Sequence, residues 1–340
     1  MATRIDVAKR AGVSPTTVSR VINDNGYVAA DVRKRVLEAI EFYHYVPNKF
    51  ARVLRTRQKK EIACITHSIT NPFYGEVVLG IEEVAFQNGY TFSLYNANFH
   101  DRDYRRVLEE GFYGGLIVLS PVELSKFVRL EQVKEALPTV VYWDWRGEAP
   151  VPAVYVQLQN AMREMVHFLL SQGHREILFL GHDSSQEWEN PRLFGYRQAM
   201  QEAGLDAEKH VTLIPEWQDS LQTGYTVMKK ILQSKQGFTA VAASTDLLAI
   251  GAMRALQEAG LRVPADVSVA GVDNLEISAL VTPSLTTVHL PKREIGQRLM
   301  QLLLQQIQGV SHSLKDIFPY QLMVRESVGA FRPSSSVHPC

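Results

Sequence analysis

The sequence contains little cysteine and no long apolar segment. Only two of its 340 residues are cysteines, Cys64 and Cys340, which agrees with a reducing compartment. It has neither an apolar signal region near its start nor a stretch of roughly 18 apolar residues that would span a membrane. No spacing of cysteine and histidine resembles a metal site. We therefore expect a cytoplasmic protein that crosses no membrane and binds no metal.

The motifs of common enzyme classes are also missing. The sequence contains no Gly-x-Gly-x-x-Gly, no Gly-x-x-x-x-Gly-Lys-Ser/Thr, no Gly-x-Ser-x-Gly and no His-Glu-x-x-His. Its ten histidines are scattered. With 46% apolar and 21% charged residues, the composition is that of an ordinary globular chain. These absences predict that the protein is not an enzyme and uses no cofactor.

What is present is a separation of charge along the chain. Residues 1–60 contain 13 Lys and Arg against five Asp and Glu, a net charge of +8. Residues 61–340 contain 23 against 31, a net charge of −8, so the neutral total hides a basic arm on an acidic body. A basic segment of this kind is the electrostatic footprint of nucleic-acid binding.

The basic arm begins with a pattern of two short helices. An apolar stripe of Ile5, Ala8, Ala11 and Val13 predicts the first helix, which Gly12 breaks. Two helices joined by a short turn containing glycine form a helix-turn-helix, whose second helix enters the major groove of DNA. An ordinary helical hairpin in a small bundle is the alternative interpretation.

The second helix of this pair carries the candidate base-reading residues. Ser14 is a good N-cap, and Pro15 suits the first helical position because it has no N–H to leave unpaired. Inward packing of the valines and Ile22 leaves a polar face of Pro15, Thr16, Thr17, Ser19, Arg20 and Asn23. On this face Arg20 can pair with a guanine, and Thr16 can contact a thymine methyl group or a phosphate.

Further motifs, in a fixed order and spacing, extend over nearly the whole chain. They are Asp6-Val7-Ala8, Ala11-Gly12-Val13-Ser14, Thr17-Val18-Ser19-Arg20-Val21-Ile22-Asn23, Tyr45-Val46-Pro47-Asn48, Ala51-Arg52, Leu54-Arg55, Asn71-Pro72-Phe73-Tyr74, Gly173-His174-Arg175, Gly195-Tyr196, Asp246, Ala249-Ile250-Gly251-Ala252, Gly271-Val272-Asp273-Asn274 and Leu285-Thr286-Thr287-Val288. With them the chain resembles the LacI/GalR family of transcriptional regulators. The resemblance implies that Pro15, Thr16 and Arg20 read bases and that Leu54 is a lever in the minor groove.

The segment around Leu54 also has a physical interpretation of its own. Asn48 can cap a helix of about eight residues, which is too short to be stable alone in water. We expect it to fold on DNA, paired with its copy in a dimer, where an apolar wedge kinks the duplex. A buried linker leucine is the alternative. The expected DNA-binding residues are Ser14, Pro15, Thr16, Thr17, Ser19, Arg20, Asn23, Asn48, Ala51, Leu54 and Arg55.

Besides Arg4, which stands where the family usually has an apolar residue, four positions depart from the usual residues of the family. Ala29 and Val32 stand where the family usually has Ser and Thr in contact with phosphates. Gln157 replaces the usual Asp after the strand that crosses between lobes, and Thr245 replaces the usual Asn before Asp246. Ala29 and Val32 leave open which residues contact phosphates in this region. Gln157 and Thr245 leave open which ligand is bound.

The body after residue 60 alternates strands and helices. The predicted strands are Ile62–Thr66, Thr91–Tyr95, Gly115–Leu119, Thr139–Tyr142, Ile177–Leu180, Val211–Ile214, Ala240–Ala243 and Val267–Val272. The predicted helices are Glu76–Gln87, Gln159–Ser171, Pro191–Ala203, Ser220–Gln233, Leu247–Glu258 and Lys292–Ile307. Such alternation predicts an α/β body of two parallel, doubly wound sheets.

The resemblance implies how the chain is divided. A helix-turn-helix domain (1–46) is followed by a hinge helix and linker (47–60). A sensing and dimerisation domain like the periplasmic binding proteins (61–331) then forms two lobes. Lobe one is 61–157 plus 291–320, lobe two is 158–288 plus 321–331, and 332–340 form a flexible tail.

Candidate effector-binding residues follow the predicted strand ends. Ligands of such folds bind at the carboxyl ends of the strands, here between the lobes. The candidates are Asn71, Phe73, Tyr74, Asp144, Arg192, Trp217, Thr245 and Asp273, with Arg192 and Asp273 favoured by the resemblance. Aromatic rings cover the C–H face of a sugar, and fixed polar groups pair with its hydroxyls. Asp246 suits a helix cap better than a ligand contact, whereas Trp143, Trp145 and Trp188 fit pocket and core equally.

These features predict a ligand-responsive regulator that binds a pseudo-palindromic operator as a homodimer. Its simplest role is a repressor of carbohydrate-utilisation genes that a sugar-like effector releases from DNA. The Pro- and Ser-rich residues 333–340 cannot form a coiled coil, which favours a dimer over a tetramer. A transport-type sugar-binding protein fits the body but not the basic arm. A phosphorylated protein partner or a non-sugar corepressor stays open as the cue.

Overall fold

The computed structural model describes eleven ranges of the chain. They are residues 2–22, 24–45, 59–66, 68–96, 113–119, 130–144, 146–183, 190–215, 218–234, 237–311 and 313–332. The chain divides into two compact units, Met1–Lys59 and Lys60–Cys340. The predicted hinge residues Asn48, Ala51, Leu54 and Arg55 lie outside the described residues, as does Asn23.

The described part of the first unit contains three helices, α1 (Arg4–Ala11), α2 (Pro15–Ile22) and α3 (Ala30–Phe42). Thr3 begins α1 with a capping box, in which its hydroxyl accepts the N–H of Asp6 and the Asp6 carboxylate accepts the N–H of Thr3. Gly12 ends α1 with a φ of 64°, a left-handed conformation that glycine adopts at little cost.

A small core holds the three helices together. Its fully buried members are Val7, Ala8, Ala11, Val18, Val21, Val36 and Ala39. The prediction that Ile5 belongs to the apolar stripe was wrong, since Ile5 is 56% exposed. At about 100° per residue, Ile5 lies about 110° from the centre of the face formed by Val7, Ala8 and Ala11.

The described residues of the second unit form two six-stranded sheets, in the orders β11-β5-β4-β3-β1-β2 and β12-β10-β9-β8-β6-β7. Their strands are β1 Glu61–Thr66, β2 Thr91–Asn96, β3 Tyr113–Val118, β4 Thr139–Trp143, β5 Ala153–Val156, β6 Ile177–His182, β7 Val211–Ile214, β8 Ala240–Ala243, β9 Ser268–Asp273, β10 Thr286–His289, β11 Lys315–Phe318 and β12 Gln321–Met323. Every pairing is parallel except that of β10 with β12. The predicted fold class, a helix-turn-helix domain before two α/β lobes with parallel sheets, is confirmed.

Helices cover the sheets and define the two lobes. The helices are α4 Pro72–Gln87, α5 Leu130–Ala136, α6 Leu158–Ser171, α7 Pro191–Glu202, α8 Leu221–Gln233, α9 Asp246–Glu258 and α10 Lys292–Ile307. Lobe one is the first sheet with α4, α5 and α10, and lobe two is the second sheet with α6 to α9. The chain crosses between lobes after β5, after β10 and again between β11 and β12. In the parts of the chain that are described, no helix has the length and hydropathy needed to cross a membrane.

Two helices of lobe one touch at glycines. A Cβ atom at Gly296 of α10 would lie 1.9 Å from the carbonyl oxygen of Val77 in α4. A Cβ atom at Gly80 of α4 would lie 2.0 Å from the carbonyl oxygen of Arg293 in α10. No side chain fits at either position, so the two glycines allow the backbones of α4 and α10 to meet.

The structure extends or adds several elements relative to the sequence-based prediction. Strands β5, β10, β11 and β12 and the helix α5 were not predicted. Helix α4 begins at Pro72, four residues before the predicted Glu76, because Asn71 caps it and Pro72 takes the first helical position. This earlier start brings Asn71 and Phe73 onto the rigid end of a helix.

Candidate functional site

The exposed face of α2 is the first candidate site. Ser14, Pro15, Thr16 and Arg20 are exposed at the surface of the first unit, and Thr17 is half-buried. The Ser14 hydroxyl accepts the N–H of Thr17 at 3.1 Å and caps the helix. Ser19 is half-buried on the same helix. The face therefore presents small polar side chains and one guanidinium at the N-terminal half of a helix, as a major-groove reader does.

The basic residues around α3 are partly engaged within the unit. Arg33 donates to the Asp24 carboxylate at 2.7 Å, and the Arg10 guanidinium lies 3.4 Å from the ring centroid of Phe42. Ala29 precedes α3 without any side-chain hydrogen bond to the helix. Lys34 is exposed. Lys34 is therefore more accessible from outside the unit than Arg33.

The second candidate site is a cavity between the two lobes of the second unit. It is lined by Asn71, Phe73, Tyr74, Asp144, His182, Arg192, Asp219, Thr245 and Asp273. Seven of these were singled out in the sequence, and the structure brings all seven together. His182 and Asp219 were missed, although His182 has the same signal as the others, since it is the last residue of β6. Trp217 lies outside the described residues.

Helix starts and strand ends position the side chains of the cavity. Asp144 follows β4 and Asp273 ends β9, at the carboxyl edge where ligands of parallel sheets bind. Asn190 caps α7 by accepting the N–H of Arg192 at 2.9 Å. Its amide also donates to the carbonyl of His182 at 2.8 Å. Arg192 is therefore fixed to the end of β6.

Arg192 lies among acidic side chains. Its Nη1 atom is 3.7 Å from Oδ2 of Asp144, and the two side chains are only 12% and 14% exposed. Burial opposes the charge on the guanidinium, but Asp144 and Asp273 outweigh it and raise the pKa of Arg192. Burial raises the pKa of Asp273 well above its usual range, against the lowering effect of Arg192.

Asp219 joins the two lobes across the cavity. Nδ2 of Asn71, from lobe one, donates to Oδ2 of Asp219 at 2.9 Å. The Thr245 hydroxyl, from lobe two, donates to Oδ1 of the same carboxylate at 2.6 Å. Oδ1 of Asn71 meanwhile accepts the N–H of Phe73 at 2.9 Å. The side chain of Asn71 thus caps α4 with one end and holds lobe two with the other.

The structure corrects the predicted role of Asp246 and decides that of Trp143, which the sequence left open. The prediction that Asp246 caps a helix was wrong, because the Thr245 hydroxyl accepts the N–H of Leu248 and caps α9 itself. Asp246 is fully buried and accepts hydrogen bonds from residues beyond β9. Trp143, which fitted pocket and core equally, is 1% exposed and lies in the core of lobe one. Trp145 and Trp188 lie outside the described residues.

The cavity has the character of a binding site for an organic molecule. Among the described residues, no group of three His, Cys, Asp or Glu side chains is placed to hold a metal ion. Phe73 and Tyr74 supply ring faces, packed edge to face with centroids 5.2 Å apart. Carboxylates, an amide, a hydroxyl, an imidazole and a guanidinium surround these rings. Aromatic rings with a few fixed polar groups around them are the usual lining of a site for a small organic ligand.

Comparison with known families matches both parts of the chain. The model of the bacterial regulatory proteins, lacI family, matches residues 5–48. The model of the periplasmic binding protein-like domain matches residues 166–328. The first match contains the face of α2, and the second contains most of lobe two.

Solved structures share the arrangement over almost the full length. The lac repressor dimer bound to operator and the anti-inducer ONPF has a TM-score of 0.83 and 27% identity, covering 97% of this chain and 99% of that chain. The transcriptional regulator CelR–cellobiose complex has a TM-score of 0.68 and 28% identity, covering 96% of this chain and 100% of that chain. The fold is thus that of a lac repressor.

Curated relatives agree with the structural likeness. The HTH-type transcriptional repressor PurR of Photobacterium profundum is 32% identical over 334 residues, which cover 96% of this chain and 99% of that repressor. The repressor PurR of Proteus mirabilis is 35% identical over 313 residues, or 90% of this chain and 91% of the repressor. These relatives are transcriptional repressors and not enzymes. On the strength of these full-length matches, the chain belongs to the LacI family of DNA-binding transcriptional regulators.

Proposed function

We propose that this LacI-family repressor binds a neutral, sugar-like effector between its lobes and controls genes for carbohydrate use. The observation that carries the proposal is the cavity itself, where two aromatic rings stand beside acids, an amide and Arg192. Rings cover the apolar face of a pyranose, and fixed acceptors pair with its hydroxyls. Related regulators have been solved with cellobiose and with ribose bound, which supports the same class of ligand.

The charge of the cavity favours an uncharged ligand. Its described residues include three carboxylates, Asp144, Asp219 and Asp273, but a single guanidinium, Arg192. Arg192 is already engaged electrostatically with Asp144 and Asp273. A phosphate or carboxylate on the effector would therefore meet repulsion from the remaining acid in a poorly solvated site. Hydroxyl groups can instead donate to these carboxylates.

Effector binding must change the angle between the lobes. The free volume of the cavity is about 40 Å³, which leaves room for only a few water molecules. Pockets that enclose organic ligands are typically larger than about 300 Å³. A sugar therefore fits only when lobe one and lobe two separate. Because that movement accompanies binding, effector affinity and operator affinity are coupled in both directions.

On the DNA side, we propose that a homodimer places two copies of α2 on a pseudo-palindromic operator in the cytoplasm. Ser14, Pro15, Thr16, Thr17, Ser19, Arg20 and Asn23 face the major groove, while Asn48, Ala51, Leu54 and Arg55 face the minor groove. Exposure of Pro15, Thr16 and Arg20 supports the first set. The domain limits 1–46, 47–60 and 61–331 belong to the same proposal.

Operator titrations test the two DNA-binding sets separately. Loss of a bidentate contact to guanine costs about 1–3 kcal/mol, so we expect Arg20→Met to weaken operator binding and relax sequence preference. Leu54→Ala should weaken operator binding strongly and leave the sensing unit folded. Fluorescence anisotropy with a labelled operator measures both, with Lys230→Met as a control on the sensor. Unchanged affinity in Leu54→Ala refutes the lever.

A thermal-shift panel tests the effector. Full-length protein is heated with cellobiose, ribose, glucose, glucose 6-phosphate, glucuronate, guanine and hypoxanthine. A ligand at 100 times its Kd stabilises the native state by about 2.7 kcal/mol, which gives a clear rise in melting temperature. We expect a neutral sugar to give that rise and Arg192→Met to abolish it, while Arg175→Met, an exposed control, keeps it.

The relatives named PurR are the reason for including nucleobases in the panel. They favour the second candidate function, a repressor whose cue is a non-sugar corepressor. A rise with guanine or hypoxanthine and none with sugars would establish that alternative. A folded, operator-binding protein that responds to no member of the panel would favour a protein partner as the cue.

A further inference from the structure

The turn that presents Asp273 to the cavity has an unusual backbone. Asp273 has a φ of 116° and Asn274 a φ of 50°, values that few residues other than glycine adopt. Such conformations persist when the surrounding structure holds them, and they collect at binding sites. Residues 273–275, at the end of β9, are called the Asp273 turn below. The side chains that hold this turn also hold the carboxylate that faces the cavity.

A buried lysine of lobe one, Lys292, binds the backbone of the Asp273 turn. Nζ of Lys292 donates to the carbonyl oxygen of Asp273 at 2.7 Å and to that of Asn274 at 3.1 Å. Lys292 is only 4% exposed and is the first residue of α10. Helix α10 packs on α4 and on the strands of lobe one, whereas the Asp273 turn belongs to lobe two. The two hydrogen bonds therefore connect the lobes.

The position of this lysine is costly in two respects. A charged group loses its hydration on burial and needs hydrogen bonds or a counter-charge in return. A cation at the N-terminus of a helix also faces the positive end of the helix dipole. Packing alone would favour an apolar residue at position 292. The bonds to the two carbonyls, together with the buried Asp246, offset both costs.

Other groups fix the opposite side of the turn. The N–H of Leu275 donates to Oδ2 of Asp246 at 2.8 Å. The N–H of Asn274 donates to the Thr287 hydroxyl at 3.2 Å, which in turn donates to Oδ1 of Asp246 at 2.5 Å. The turn thus lies between an ammonium that binds two of its carbonyls and a carboxylate that accepts the N–H of Leu275 directly and is linked to that of Asn274 through the Thr287 hydroxyl. Neither Lys292 nor Asp246 is among the residues lining the cavity.

We propose that Lys292 is a positioning residue of the effector site, which holds the Asp273 turn in its left-handed conformation and ties it to helix α10 of the other lobe. When lobe one moves, the ammonium moves with α10, and the geometry of the Asp273 carboxylate changes with it. This link gives lobe closure a direct effect on effector binding. The proposal rests on the proposed function only for the role of Asp273 at the effector.

Hydrogen exchange without any effector tests the link. In full-length Lys292→Met the amides of Asn274 and Leu275 should exchange at least about tenfold faster, because the donors that hold the turn are lost. Amides of β8 (Ala240–Ala243) should keep their wild-type rates. Lys230→Met, which removes an exposed lysine from α8, should change neither. Unchanged exchange in the turn, or an equal rise in the turn and in β8, overturns the proposal.

A pair of substitutions at Asp273 separates backbone from charge. Asp273→Gly relieves the left-handed backbone and removes the carboxylate, whereas Asp273→Asn removes the charge alone. We expect Lys292→Met to lower the melting temperature by at least about 4 °C in the wild type. In the Asp273→Asn background, Lys292→Met should lower the melting temperature by the same amount. In the Asp273→Gly background, it should lower the melting temperature by less than half that amount. Equal and reduced losses with Gly and Asn would mean that Lys292 acts on the carboxylate, and equal but undiminished losses would mean that it does not hold the left-handed backbone; the proposal fails in either case.

A second substitution at position 292 can replace Lys292→Met in both experiments. If Lys292→Met yields no folded protein, Lys292→Arg keeps the charge but not the tetrahedral ammonium, and the same two comparisons apply with the same refuting results. Because no effector is present, these outcomes are independent of the thermal-shift panel. A protein without a sugar effector can still show the link, and a sugar-binding protein can still lack it.

Discussion

The hydrogen bond between Asn71 and Asp219 connects the two lobes. Exchanging the two side chains tests directly how much this contact contributes to holding the lobes closed. Asn71→Asp keeps the cap on α4, since Asp and Asn are equally good N-caps. It removes the Nδ2 donor that reaches Asp219 at 2.9 Å and replaces it with a second carboxylate. The change therefore acts on the contact between lobes and spares the helix.

The expected loss follows from two contributions. A hydrogen bond to a charged group is worth about 1.5–3 kcal/mol. Two carboxylates about 4 Å apart at an effective dielectric constant of about 20 repel each other by about 4 kcal/mol. Separation of the lobes relieves most of the repulsion, so we expect Asn71→Asp to lower the free energy of unfolding by about 2–3 kcal/mol. Asp219→Asn alone should cost less, because its amide oxygen can still accept from Asn71.

The double variant Asn71→Asp with Asp219→Asn reverses donor and acceptor and should restore the bond. Urea denaturation at fixed protein concentration, followed by circular dichroism, gives the four free energies of the cycle. We expect a favourable coupling of about 2 kcal/mol between the two substitutions. Additivity within about 0.5 kcal/mol would show that the two side chains do not interact, and the reasoning about lobe closure would be wrong.

Further outcomes concern the packing, titration and reactivity of the second unit. Gly296→Ala puts a Cβ atom 1.9 Å from a carbonyl of α4 and should cost about 3 kcal/mol in urea denaturation, whereas Gly75→Ala meets nothing within 4 Å and should be neutral or stabilising. Burial raises the pKa of Asp246 to about 6 from 3.8, so the folded state binds this proton first as the pH falls. Protonation of Asp246 therefore stabilises the folded state. This contribution is fully present at a pH below the pKa of the unfolded chain, 3.8, and is lost as the pH rises through the folded pKa of about 6. Wild type should therefore gain about 2 kcal/mol over Asp246→Asn between pH 7 and about pH 4.5; parallel curves would contradict this. Burial also raises the pKa of Cys64 to about 12, so a thiol reagent at pH 8 should label Cys64 only after unfolding, as mass spectrometry of the labelled peptide would show.

The regular parts of the fold follow from local pattern. Strands such as β1 and β8 are runs of buried apolar residues, and their bounds were predicted within a residue or so. Strand β10 was missed because it begins with Thr286 and Thr287, polar residues that do not read as a buried strand. Both are fully buried, and partners 41 residues away in sequence, Ser327 and Asp246, satisfy them. A local window of sequence contains neither partner.

The candidate site also contains residues that local sequence pattern predicts and residues that depend on contacts between distant segments. Residues at predicted strand ends, such as Asp144 and Asp273, could be named because parallel strands bring their carboxyl ends together. Asp219 follows no predicted strand directly and is defined by contacts with Asn71 and Thr245, which are far apart in sequence. Lys292 resembles any lysine at the start of an amphipathic helix. Its burial against the Asp273 turn depends on how two lobes meet, and that arrangement is not encoded in any one segment.

The late position of strands β11 and β12 has a consequence for how the protein is made. Lys315–Phe318 completes the edge of one sheet and Gln321–Met323 the edge of the other. During synthesis the first sheet lacks this edge strand until residue 318 has been made, and the second until residue 323 has been made. The three described helices of the first unit lie within residues 4–42, and contacts between residues that are close in sequence form quickly. The unit that contains the helix-turn-helix can thus fold before either sheet of the second unit is complete.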